Sequence, residues 1–141
     1  MPEEKTFQFE IVTPEGKVYS EAVESVIAPG VDGYFGVLAG HTPFMTALKI
    51  GEIRVRKGEE TVLFATTGGF VEVLPHRMTL LAETAEEASR IDVSRALAAK
   101  ERAEKRLKSR TPDVDVERAR LALARAMNRL RVAQHAGARI G

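Results

Sequence analysis

The amino-acid sequence changes character near residue 90, and no single layer of secondary structure suits both halves. All eight aromatic residues, Phe7 through Phe70, precede the change, whereas residues 91–136 contain no glycine, no aromatic and one proline. The second stretch is dense in Ala, Arg, Lys, Glu and Leu, residues that favour helix. The first carries the turn formers and bulky side chains of a sheet. The expected organisation is an all-β domain over residues 1–87 followed by an α-helical hairpin over residues 88–141.

The formal net charge of +1 hides an asymmetry between the halves. Residues 1–90 carry 8 Lys and Arg against 14 Asp and Glu, and residues 91–141 carry 13 against 6. A basic arm on an acidic body can dock on its own body or be drawn to an acidic partner, whether nucleic acid or an acidic protein surface. The absence of cysteine excludes disulfides and thiolate chemistry. The apolar runs are far too short to span a bilayer and Met1-Pro2-Glu3-Glu4 is acidic, which predicts a soluble chain without a targeting segment.

In the first half, apolar and polar residues alternate between turn signals. Phe7, Phe9 and Ile11 share one face, and Thr13-Pro14-Glu15-Gly16 turns the chain. Further strands are expected at Val18–Ala22, Ser25–Ala28, Phe44–Leu48, Glu52–Arg56, Thr61–Ala65, Phe70–Leu74 and Arg77–Leu81. Short strands with close turns predict an antiparallel sandwich or flattened barrel. The Gly-rich stretch Gly33 to Pro43 reads either as a pair of tight turns or as a contact loop anchored by Tyr34.

In the second half, Ser89 is expected to cap a helix from Arg90 or Ile91 to about Lys108. Thr111 is expected to cap a second from Pro112 to about Ala136, with Asp113, Asp115 and Glu117 at its positive end. Few large apolar residues hold the pair together: Ile91, Val93, Leu97 and Leu107 on the first helix, with alanines between them. That predicts a marginal, detachable hairpin.

No phosphate-binding glycine loop or H-E-x-x-H motif is present, and His41, His76 and His135 lack metal-ligand spacing, so no catalytic or metal residues are assigned. A small metal hydrolase and a nucleic-acid-binding adaptor using the basic hairpin are the alternatives. The lack of aromatics after Phe70 removes stacking platforms and disfavours single-strand recognition. Asp92, Arg95, Ala99 and Arg102 share one helical stripe, and Arg125 and Arg129 stand four apart on the other helix. They read either as a solvated face with an Asp92–Arg95 ion pair, or as arginines converging on phosphates with Asp92 toward an adenine amino group.

Four blocks then carry a resemblance: Phe35-Gly36-Val37-Leu38-Ala39-Gly40-His41-Thr42-Pro43-Phe44-Met45-Thr46-Ala47-Leu48, Gly51-Glu52-Ile53-Arg54, Gly68-Gly69-Phe70-Val71-Glu72-Val73 and Leu80-Leu81-Ala82-Glu83-Thr84-Ala85. In this order, and with the helical tail, the chain resembles the epsilon subunit of F-type ATP synthase over nearly its whole length. The resemblance implies a ten-stranded sandwich and a helical hairpin on the rotating central stalk, non-catalytic itself. It implies contacts with the gamma subunit and the c-subunit ring, here at Val31, Asp32, Gly33, Tyr34 and His41. It further implies a hairpin that extends to an acidic segment of the beta subunit and blocks ATP hydrolysis. A peripheral place on the cytoplasmic face of a bacterial plasma membrane, or the stromal face of a thylakoid, follows from the same likeness.

Some bacterial members of that family carry an ATP-binding motif I/L-D-x-x-R-A, which Ile91-Asp92-Val93-Ser94-Arg95-Ala96 matches. By the same resemblance Arg102, Arg125 and Arg129 are implied phosphate contacts and Glu86 an adenine-side residue. ATP would be a regulatory ligand and not a substrate; the motif is silent on Mg²⁺.

Overall fold

The computed structural model describes residues 5–109, 112 and 114–140. The chain divides after Glu87 into two compact units. The first unit is a single ten-stranded sheet: β1 Phe7–Thr13, β2 Gly16–Val23, β3 Ser25–Gly30, β4 Gly33–Leu38, β5 Phe44–Leu48, β6 Gly51–Lys57, β7 Glu60–Thr66, β8 Gly69–Leu74, β9 Arg77–Ala82 and β10 Ala85–Glu87. Its order is β10-β7-β6-β3-β5-β8-β9-β1-β2, with β4 paired to β3. Every pairing is antiparallel except β1 with β9, which run parallel.

The alternation in β1 does what the pattern requires. Phe7, Phe9 and Ile11 are buried beside Val71 and Val73 of β8, Met78 and Leu80 of β9, and Ile53, Val55 and Phe64 of the opposing strands. Far ends of the sheet come together over this core. Tyr19 of β2 meets Phe64 of β7 edge-on, with ring centroids 5.4 Å apart, and also Phe9 at 6.0 Å. Lys57 of β6 pairs with Glu21 of β2 at 3.0 Å, and the Gly58 N–H donates to Glu24 at 2.8 Å. On the opposite face of β1, Glu10 is almost buried because Arg77 and Lys17 both hold its carboxylate.

Two strands lie where residue pattern alone showed none. Gly33–Leu38 is the strand β4 and not a pair of turns: Gly30 and Gly33 close a two-residue hairpin turn at Val31-Asp32, and Gly36 lies in extended pairing opposite Ile27. The short β10 pairs with β7 through Ala85 to Glu87. Gly69 has a sharper requirement. Its φ is +144°, and a Cβ there would stand 2.0 Å from the Leu81 carbonyl oxygen, because β8 and β9 meet at Gly69 and Ala82.

The second unit opens with a 3-10 turn, Ala88–Arg90, followed by α1 Val93–Ser109 and α2 Val116–Ile140. Ser89 therefore lies inside the turn and does not cap α1. Asp92 does: its Oδ1 accepts the Arg95 N–H at 3.0 Å, and its carbonyl accepts the Ala96 N–H at 3.0 Å. At α2 the cap is Asp115, whose Oδ1 accepts the Arg118 N–H at 3.1 Å, so the helix starts four residues later than Pro112. The expected cap Thr111, and Asp113, lie outside the described residues. At its other end α2 runs through Gly137 to Ile140.

The helices pack on each other, and the 3-10 turn before α1 packs on α2, as an antiparallel hairpin requires. Ala96 and Ala103 of α1 and Ala119 and Ala126 of α2 are each at most 3% exposed and form the seam. Ile91 and Val132 add the larger buried groups.

Three outcomes follow for stability. Gly69→Ala should cost roughly 2–4 kcal/mol by denaturant unfolding, whereas Gly36→Ala, with open space at its Cβ, should be near neutral. Asp92→Ala and Asp115→Ala should each cost about 1 kcal/mol and lower helicity by circular dichroism. The Tyr19 phenol is pushed up from 10.0 to about 12, first by burial and then by Glu21, Glu60 and Glu87. As pH rises the unfolded chain loses that proton first, so stability present below pH 10 should fall between about pH 10 and 12. In a Tyr19→Phe variant that part of the loss should be absent.

Candidate functional site

The residues expected to touch partners occupy two places on the sheet. Val31 and Asp32 form the exposed β3–β4 turn, closed by Gly33, and Tyr34 follows in β4. The Tyr34 ring is exposed, but its hydroxyl accepts the Glu52 N–H at 3.0 Å and lies over Gly51. Tyr34 thus clips the hairpin to the start of β6 while leaving one ring face outward. Sequence reading missed this bond, because its partners are eighteen residues apart.

His41 lies beyond the other end of β4, about 20 Å along a six-residue strand from the turn. Its Nδ1–H donates to the Thr42 carbonyl at 2.6 Å, and its ring tilts against Phe44, which in turn meets Phe35 edge-on at 5.3 Å. The loop is held by the Gly40 N–H on Pro75 and the His41 N–H on Leu38. Leu38 and Met45 are exposed nearby in sequence, Met45 to 69%. An apolar row continues across three neighbouring strands: Ala47 of β5 lies opposite Phe70 of β8, which lies opposite Leu81 of β9. Phe70 is 63% exposed. The turn and the His41 loop therefore lie apart, at the two ends of β4.

The implied nucleotide residues divide between the units. Glu86 belongs to the sheet, on β10 opposite Ala65. The others belong to the hairpin: Ile91 is buried just before α1, Asp92 caps it, Arg95 stands in its first turn and Ala96 lies in the seam. Arg102 and Arg125 are exposed and Arg129 is half-buried. Asp92 meets Arg95 through the backbone N–H, so its contact with Arg95 is a helix cap where an Asp92–Arg95 ion pair was one expectation.

The two helices carry a repeat that is not apparent within either one alone. Asp92, Val93, Arg95, Ala96, Ala99, Arg102, Ala103, Arg106 and Leu107 recur, 23 residues on, as Asp115, Val116, Arg118, Ala119, Ala122, Arg125, Ala126, Arg129 and Leu130. Burial repeats too: Ala96 matches Ala119 and Ala103 matches Ala126 in the seam, and both aspartates cap. Its signal was present as self-similarity at a fixed offset. One physical consequence is that the D-x-x-R-A pattern encodes a helix start wherever it stands, apart from any ligand.

Among the described residues no three His, Asp or Glu side chains gather into a metal site, and no helix is long and apolar enough to cross a membrane.

Comparison with known proteins agrees with this division. The family model "ATP synthase, Delta/Epsilon chain, beta-sandwich domain" matches residues 6–88, and "ATP synthase, Delta/Epsilon chain, long alpha-helix domain" matches residues 89–134. The chain is 50% identical over 130 residues to the ATP synthase epsilon chain of Desulforamulus reducens, covering 92% of this chain and 98% of that one. It is 52% identical over 130 residues to the epsilon chain of Bacillus licheniformis, covering 92% and 99%. In fold it is similar to a chain of the Euglena gracilis mitochondrial ATP synthase, with a TM-score of 0.77 at 21% identity over 91% of this chain and 86% of that one. Matched through both its sheet and its helices, and half-identical to bacterial epsilon chains along nine-tenths of its length, the chain belongs to the delta/epsilon family of F-type ATP synthase subunits.

Proposed function

We propose that this non-catalytic ATP synthase subunit couples the catalytic head to the proton-translocating ring from the central stalk. In this reading the sheet holds the gamma subunit and the c ring through the Val31–Tyr34 turn and the His41 loop, and the helical hairpin restrains ATP hydrolysis. The observation that carries it is the construction of the hairpin: a separate unit, closed by alanines and bearing an exposed basic face. Such a unit can open at small cost and exchange its own contacts for an acidic surface on the beta subunit.

ATP acts in this reading as a clasp. Arg95, Arg102, Arg125 and Arg129 carry like charge on the two helices, and a polyanion between them stabilises the folded hairpin, with Asp92 toward the adenine. ATP shifts the equilibrium only by its differential affinity for the folded and extended forms. High ATP favours the folded hairpin and low ATP the extended, inhibitory one. Peripheral attachment to the membrane comes through the complex.

Calorimetric titration of the purified chain should show saturable one-to-one ATP binding with GTP much weaker. Arg125→Ala, removing a charge-assisted hydrogen bond worth roughly 1.5–3 kcal/mol, should weaken ATP about tenfold or more. Unchanged affinity would remove Arg125 from the site. In the assembled enzyme, a chain ending at Glu87 should raise the hydrolysis rate while leaving assembly intact; an unchanged rate would sink the inhibitory role of the hairpin.

A further inference from the structure

The repeat in the hairpin has a geometric consequence. If residue i of α1 lies opposite residue j of α2 in an antiparallel pair, residue i + 23 of α2 lies opposite residue j − 23 of α1. The pair therefore has a pseudo-twofold axis normal to the plane of the two helices. That axis turns one end of the hairpin into the other and keeps each face on its own side. The set Asp92, Arg95, Arg125 and Arg129 is carried onto Asp115, Arg118, Arg102 and Arg106, with Arg102 and Arg125 exchanging near the centre.

Side-chain direction supports this. At about 100° per residue, Arg95, Arg102 and Arg106 fall within about 40° of one another on α1, and Arg118, Arg125 and Arg129 do the same on α2. Buried Ala96 and Ala103 lie about 80–100° from the arginine stripe, and Ala119 and Ala126 stand at the same angle on α2. Both stripes thus flank the seam on one face. Glu101 and Glu104 point away from that stripe by about 120° or more. Six arginines line one groove, and a capping aspartate stands at each end.

We propose that this groove binds a linear polyphosphate bearing a purine nucleoside at both ends, a dinucleoside tetra- or pentaphosphate. The proposal rests on the nucleotide reading of the Asp92 end and extends it to its symmetry mate. The two aspartates stand about as far apart as the 17-residue α1 is long, about 25 Å, and the arginine stripe on each helix covers about 16 Å between them. ATP reaches one aspartate and leaves arginines at the far end without a phosphate. A ligand with its own twofold symmetry puts phosphates along the whole stripe and a base at each cap. The two ends are not identical. Glu117 stands where the first repeat has Ser94, and Val114 where it has Ile91, so a mononucleotide favours the less acidic Asp92 end.

The test is calorimetry on the full chain at fixed ionic strength with ATP, diadenosine pentaphosphate and inorganic tripolyphosphate. The pentaphosphate should bind one-to-one and at least about tenfold more tightly than ATP. Arg118→Ala keeps the backbone N–H that Asp115 caps; it should reduce pentaphosphate affinity to near that of ATP, change ATP affinity less than about twofold, and leave helicity unchanged. A pentaphosphate no tighter than ATP, an Arg118→Ala that weakens both ligands equally, or tripolyphosphate binding as tightly as the dinucleotide would each overturn the proposal. ATP binding that Asp92→Ala weakens, beside any of these, would leave the single-nucleotide reading standing. No ATP binding by the parent would overturn both.

Discussion

The alanine seam between α1 and α2 sets what the second unit can do. Ala96, Ala103, Ala119 and Ala126 let the helices approach closely, but each buries only a methyl group, worth about 0.8 kcal/mol, where a buried Phe, Ile or Leu brings about 1.5–3 kcal/mol. Against the ordering entropy of two helices this leaves little surplus. Closeness and weakness come from the same choice of residue.

The sheet is built on the opposite principle. Phe9, Ile11, Ile53, Phe64, Met78 and Leu80 are fully buried in one core, and Tyr19 closes the far strands over it by meeting Phe64 edge-on. Long-range pairing such as the parallel β1–β9 register ties the start of the domain to its end. The first unit is thereby a fixed platform whose exposed groups, the Val31-Asp32 turn and the His41 loop, are held by backbone bonds and by the Tyr34 clip. A rigid body joined to a weakly closed basic hairpin is the physical arrangement in which one part can hold position while the other changes partners.

Much of this was legible in residue pattern, and the failures have specific causes. The β1 alternation and seven other strands were readable because side-chain period in a strand is two and turn residues bound each run. β4 was not, since Gly33, Gly36 and Gly40 look like turn formers; only pairing with β3 shows that Gly36 is extended. The start of each helix was placed too early because Ser, Thr and Asp all cap well, and which one does is decided where the helix meets its neighbour. Ser89 lost to Asp92 because the chain first makes a 3-10 turn on α2. The recurrence of the Asp92 pattern on α2 was harder to see, because its offset of 23 residues is longer than α1 itself and shows only when the two helices are set side by side.

The sequence by itself determined the division into a sheet and two helices, the charge of each, and the residues of the arginine stripes, because composition, period and spacing are local properties of the chain. Tertiary structure alone decided which strands pair, that Gly69 must be glycine beneath the Leu81 carbonyl, and that Tyr34 is tied to Glu52. It also decided that the repeated alanines of α1 and α2 are buried where the two helices pack. These follow from contacts between residues far apart in the chain, and such contacts are set by the packing of whole elements.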